Sequence, residues 1–145
     1  MRLVYFDFTI NYGGAPQGSV YLAARLNQFH SVHVIDAYGS CSDYCRAVEQ
    51  AGLPLTILYP KQENPFIGFA DKPLLRYGRM LLQMPEFYQI YRRLQKKILN
   101  INPDVIWVNN YKSLAFLASN RRLRQIPTAV YFRGWGTPDQ ISPSF

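Results

Sequence analysis

Acidic residues are scarce in this chain: nine Asp and Glu stand against sixteen Lys and Arg, a formal net charge of +7. The imbalance favours anionic partners, whether phosphates, nucleic acid or an acidic membrane surface. It is concentrated in YRRLQKK and NRRLR, which read equally well as two solvated helix faces. Cysteine is scarcer still. Cys41 and Cys45 lie one helical turn apart, a poor geometry for a structural disulfide, and too few partners accompany them for a zinc site. We expect two free thiols and no metal. Long apolar runs are missing, since none approaches the ~20 residues that span a bilayer. The opening MRLVYFDFTINYGG runs straight into a strand pattern, without the apolar segment and small-residue cleavage site of a secretory signal. The expectation is a cytoplasmic protein, with peripheral contact at an inner membrane face as its route to lipid. Internal repeats and low-complexity segments are absent, and nothing beyond charge points to nucleic acid.

What remains is a globular composition, with 48% apolar and 17% charged residues over 145 positions, enough for one domain with a real core. Strand and helix signals alternate. LVYFDF (3–8), VHVIDA (32–37), LTILY (55–59), DVIWV (104–108) and TAVYF (128–132) read as strands. Between the first two, Ser19 to Phe29 sets Leu22, Ala23, Leu26 and Phe29 on one helical stripe. Ser40 and Asp43 suggest a capping box for a helix bearing Tyr44, Cys45 and Val48, with Gly52 as its stop. Residues 60–73 read as loop. Two helical pieces follow, separated or kinked at Pro85, the second with Phe87, Ile90, Leu94, Ile98 and Ile101 on one face and Arg92, Arg93, Lys96 and Lys97 on the other. Residues 113–124 form the last predicted helix. The pattern predicts an α/β domain: a doubly wound, Rossmann-like parallel sheet of order 3-2-1-4-5 with helices on both faces. The chain stops just after a strand, which suggests a fragment of a longer protein.

In such a sheet, ligands bind beyond the carboxyl ends of the strands where the order reverses. Three loops should converge there: Asn11–Ser19, Asn109–Ser113 and Arg133–Gly136. Within NYGGAPQGS, glycines let the backbone approach a phosphate or sugar, and the following helix would aim free N–H groups at it. The same glycines also suit a simple connection. GGAPQG nearly matches the dinucleotide fingerprint, with Asp36 about where a ribose-binding acid would stand. Against that, the glycines come several residues after the strand, and Pro16 removes one amide. Asn109 and Asn110 could hydrogen-bond sugar hydroxyls or form a turn. Asp7 could support the glycine loop, Trp135 could stack on a sugar ring, and Lys112 could meet an anionic acceptor or remain solvated. His30 and His33, near the start of the second strand, read as structural.

The order of motifs resembles the N-terminal domain of GT-B glycosyltransferases, particularly glycosyltransferase family 4. That resemblance rests on Gly13, Gly14 and Ala15 followed by YLAARL (21–26), on NPDVIWVNN (102–110), and on SLAFLASNRRLRQIPTAVYFRGWG (113–136). It covers nearly the whole chain. It implies one Rossmann-like domain, 1–145, of a two-domain enzyme whose other half binds the nucleotide sugar. It further implies a transfer that retains anomeric configuration, with no metal and no cofactor beyond the nucleotide-sugar co-substrate. The acceptor would be a sugar, a lipid or a small molecule. Gly13, Gly14, Ala15, Asn109, Asn110, Tyr111, Gly134 and Trp135 would face substrate. The family's paired glutamates eight positions apart are not matched by Glu49, Glu63 and Glu86, which places the donor site outside this chain. Many family members carry a histidine where Arg133 stands here; an arginine cannot act as a base but can clamp a phosphate or carboxylate.

Two other readings remain: an NAD- or FAD-binding oxidoreductase domain, and a non-catalytic module at a membrane surface. The second would use the Arg92–Lys97 face and the aromatic-rich NPFIGF (64–69).

Overall fold

In a computed structural model of the protein, residues 1–61 and 73–131 are described, without the side chains of 73–81. The first strand, β1 (Arg2–Asp7), lies at the centre of a five-stranded parallel sheet. β2 (Ser31–Asp36) and β3 (Leu55–Ile57) extend it on one side. β4 (Val105–Val108) and β5 (Thr128–Val130) extend it on the other. The order is β3-β2-β1-β4-β5, as the alternation predicts.

Period-2 alternation assigns each strand residue to a face. Val4, Phe6, Ile35, Ile106 and Val108 point one way and are buried under α3 (Pro73–Ile101) and α4 (Tyr111–Ala118). Tyr5, Val32, Val34 and Trp107 point the other way, under α1 (Gly14–Leu26) and α2 (Ser42–Gln50). Ile90, Leu94 and Ile98, the predicted apolar stripe of α3, are each at most 1% exposed. Burial on that scale contributes roughly 1.5–3 kcal/mol per side chain. None of the described helices is long and apolar enough to cross a membrane.

Several local expectations are corrected. α1 begins at Gly14, not near Ser19, so the glycine stretch forms its first turn. Pro16 is tolerated there because first-turn amides have no intrahelical partner. The buried stripe of α1 is Ser19, Val20 and Ala23; Leu22 stands at the surface, and Phe29 lies beyond the helix end. The Ser40–Asp43 capping box does not form. Cys41 is the N-cap of α2, without a side-chain bond, and Ser40 Oγ donates instead to the Thr9 carbonyl at 3.3 Å. α3 runs as one helix through Pro85, which sits at an exposed position. It ends where Asn102 takes φ 49°, with Pro103 behind it. The predicted 113–124 helix is divided. Asn120, 2% exposed, accepts from the amides of Arg122 and Leu123, which closes the chain into a 3₁₀ turn, Leu123–Gln125. Gly52 stops α2 at φ +69°, as expected.

Two of the four cations predicted for the polar face of α3 have neighbours on the domain. Arg93 donates to the Leu58 carbonyl at 2.7 Å and lies over the Tyr59 ring. Lys97 stands near His33, whose pKa burial and that charge together lower. Arg92 and Lys96 remain exposed. NPFIGF lies outside the described residues.

Candidate functional site

The order reversal falls between β1 and β4. The chain leaves β1 for α1 on one face and leaves β4 for α4 on the other. The starts of these two helices therefore flank the crevice, and each places partial positive charge there. Gly13 is the N-cap of α1 and Gly14 its first residue. Asn110 is the N-cap of α4 and Tyr111, 58% exposed, its first residue.

Gly13 has an ordinary φ of −83°, and Gly14 is not in the left-handed region. Neither glycine is required by backbone strain. What they leave is space. Among the described residues, a Cβ at Gly14 would meet nothing within 4 Å, and one at Gly13 only Asn11 Oδ1 at 3.6 Å. Ala15, the next residue, is half-buried.

Beneath this rim lies a buried polar layer. Asp7 and Asp36 are register partners at the ends of β1 and β2, both on the α1/α2 face by their spacing from Tyr5 and Val34. Asp7 accepts from Tyr5 OH at 2.6 Å, from the Phe8 amide at 2.7 Å, and from Asn110 Nδ2. Asp36 accepts from the amides of Thr9 at 3.0 Å and Gly39 at 2.7 Å, tying the β1–α1 and β2–α2 connections together. Burial raises the pKa of both carboxyls against the pull of these donors; Asp36 is pushed up to about 6. The buried Tyr44 hydroxyl approaches Thr9 and both carboxylates but completes no hydrogen bond of ordinary geometry.

The two asparagines bind this layer to β4. Asn110 Oδ1 accepts from the Ser113 amide at 2.8 Å, which caps α4. Its Nδ2 serves Asp7 and, at 2.9 Å, Asn109 Oδ1. Asn109 Nδ2 reaches Ser19 Oγ in α1 at 3.3 Å. Asn110 thus braces the site, and Asn109, half-buried, joins it as a hydrogen-bond partner of Asp7. Lys112, also half-buried, has its pKa lowered by desolvation. Arg133, Gly134 and Trp135 lie outside the described residues.

The brace has a measurable consequence. Asn110→Ala removes a helix cap, at about 1 kcal/mol, and one of three donors to a buried carboxylate, at about 1 kcal/mol more. Denaturant unfolding should show a loss of about 2 kcal/mol. Asn110→Ser keeps a cap and should recover about half. Equal losses in both variants would mean that the cap contributes nothing.

Ser19 and Ser113 carry no motif, and only the helix starts set by the structure put them on inward faces. Tyr44 was legible as part of the apolar face of α2. Asp36 was legible as an acid at the end of β2. Its carboxylate is fully buried and held by two backbone amides, an arrangement that leaves no surface for a ribose. Gly18, third in the near-fingerprint GGAPQG, lies inside α1. His33 bonds Thr56 Oγ1 at 2.8 Å within the sheet, away from the crevice. The described residues include no cluster of metal-ligating side chains, and both cysteines are free thiols.

No protein-family model matches the sequence, and no curated protein does either. Solved structures do. HepE of Anabaena, determined in complex with UDP and glucose, superposes with a TM-score of 0.55 at 15% identity over 90% of this chain. CalG4, the calicheamicin glycosyltransferase, superposes with a TM-score of 0.57 at 15% identity over 94% of it. This chain spans 29% and 33% of those two proteins. The chain has the α/β, Rossmann-like fold of a part of these two proteins.

Proposed function

We propose that the chain is the N-terminal, acceptor-side domain of a GT-B glycosyltransferase of the family 4 type. It would act in moving a sugar from a nucleotide-sugar donor to a sugar, lipid or small-molecule acceptor, with retention. The observation that carries this reading is the crevice at the order reversal. Two helix starts face it, two glycines without side chains stand at its rim, and its floor is a buried polar network. The carboxylates and asparagines of the floor are hydrogen-bonded to neighbouring groups, which supports reading the described residues as a binding surface. That suits a domain that holds one substrate while a second domain supplies the other. The presence of UDP and glucose in one structural neighbour supports a nucleotide-sugar donor.

Catalysis by such an enzyme needs both reacting partners held in place. The 145-residue chain alone should therefore transfer no sugar, whereas a longer protein containing it should. A panel of radiolabelled nucleotide sugars and acceptors, assayed with both, decides the matter. Turnover by the 145-residue chain at the longer protein's rate would overturn the two-domain reading. Cofactor titration followed by NADH fluorescence tests the oxidoreductase alternative, which the burial of Asp36 disfavours.

A further inference from the structure

A second concavity lies on the α3/α4 side of the sheet. It has a volume of about 310 Å³ and is lined by Arg92, Gln95, Lys96, Leu99, Asn100 and Arg122. Arg92, Lys96 and Asn100 follow one another at helical spacing along α3, and Arg122 comes from the segment after α4. Three cations converge with two side-chain amides and no acid. None of the three is in either ion pair found among the described residues, Arg46–Asp43 and Lys61–Glu86. Arg92 lies over the Tyr88 ring at 5.9 Å, which orients its guanidinium without neutralising it.

The arrangement is held from below. Asn120, buried at 2% exposure, accepts from the Arg122 amide at 3.1 Å and donates through Nδ2 to Gln95 Oε1 at 3.4 Å. One buried side chain thus fixes the backbone of a lining cation and uses the carbonyl end of a lining amide. The Gln95 NH₂ group is left as a donor. Arg92 and Lys96, like charges one turn apart, repel each other, and an anion between them relieves that repulsion. Guanidinium, ammonium and amide donors around one concavity match a group with several anionic oxygens.

We propose that this concavity is a binding site for a phosphate monoester group, independent of the glycosyl-transfer reading. Its source is either a soluble phosphorylated metabolite or a lipid headgroup, and one experiment separates them. The intact protein, labelled with ¹⁵N, is titrated with inorganic phosphate and with glucose 6-phosphate. Flotation is run in parallel on vesicles containing phosphatidic acid, phosphatidylglycerol at equal surface charge, or phosphatidylcholine alone. The expected result is a saturable shift of the Gln95 side-chain amide and the Arg122 backbone amide. Arg122→Gln and Lys96→Gln should each weaken it at least about tenfold. Arg25→Gln, the same charge change on the far face of the sheet, should leave it unchanged. Preference for phosphatidic acid over phosphatidylglycerol, lost in Arg122→Gln, assigns a lipid source; saturation by the soluble probes without vesicle capture assigns a soluble one. If Arg25→Gln weakens binding as much as Arg122→Gln, bulk charge alone is at work and the site does not exist. The absence of a saturable shift together with equal vesicle partitioning overturns it as well.

Discussion

Raising the pH from about 4 to about 6 should lower the unfolding free energy of the protein relative to an Asp36→Asn variant by about 3 kcal/mol. The Asp36 carboxyl is fully buried, and desolvation pushes its pKa up to about 6 from an ordinary value of 3.8. A raised carboxyl pKa means that the folded state holds its proton after the unfolded chain has lost it. Stability therefore falls as pH rises through that window and is level above it. Roughly two pH units at ~1.4 kcal/mol each set the magnitude. Asp7, raised by the same burial, adds in the same direction. His33 opposes both. Its depressed pKa contributes stability above about 6.5 that is lost as pH falls. Comparison with Asp36→Asn removes from the difference the groups that do not interact with Asp36, whereas Asp7, whose charge helps to raise the Asp36 pKa, stays coupled to it. The variant loses an acceptor for Thr9 or Gly39, a constant offset that leaves the slope unaffected. Chemical denaturation at half-unit pH intervals measures the effect, and parallel profiles for the two proteins would refute it.

The sheet was legible because its signals are local. Alternation in LVYFDF places Tyr5 and Asp7 on one face and Val4 and Phe6 on the other with no knowledge of partners, and the βαβ rhythm then sets the order. The errors occur where a distant group competes with a local rule. Ser40 fits a capping box in sequence, but the Thr9 carbonyl, 31 positions away, takes its hydroxyl. Arg93 belongs to a basic stripe by helical spacing, but the Leu58 carbonyl takes its guanidinium. The start of α1 was misplaced for a different reason. Gly-Gly-Ala-Pro carries the composition of a loop, yet Gly at an N-cap and Pro within the first turn are both compatible with a helix start. Asn110 shows both effects. Its spacing to Ser113 is that of a cap, which would have been visible had the helix been started two residues earlier. Its bond to Asp7, 103 positions away, could not be read from either residue. Topology alone determines where the strand order reverses, whereas the roles of residues beside that point depend on which donors each side chain finds.

The same distinction makes Gly14 the sharpest test of the proposed function. A glycine kept for its backbone conformation should damage folding when replaced, and one kept for ligand approach should damage turnover. Gly14 opens α1 without a left-handed φ, and a Cβ there meets no neighbouring atom of the described residues within 4 Å. Valine is, if anything, a better helix former than glycine, so Gly14→Val should change stability by no more than about 1 kcal/mol. On the proposed function, its branched Cβ would project into the space through which substrate approaches. Turnover should fall at least about 100-fold, or ~2.7 kcal/mol of lost transition-state stabilisation. Gly52 supplies the inverse case. It stands at φ +69° after α2, where a Cβ also meets nothing within 4 Å. Gly52→Ala should cost about 1–2 kcal/mol through the left-handed backbone alone and leave turnover per folded molecule unchanged. Thermal melts and initial rates on both variants give the four numbers required. If Gly14→Val turns over normally, no ligand passes that rim and the proposed role of the glycine stretch is wrong. If it melts like an unfolding mutant while its folded fraction remains active, the glycine serves the turn.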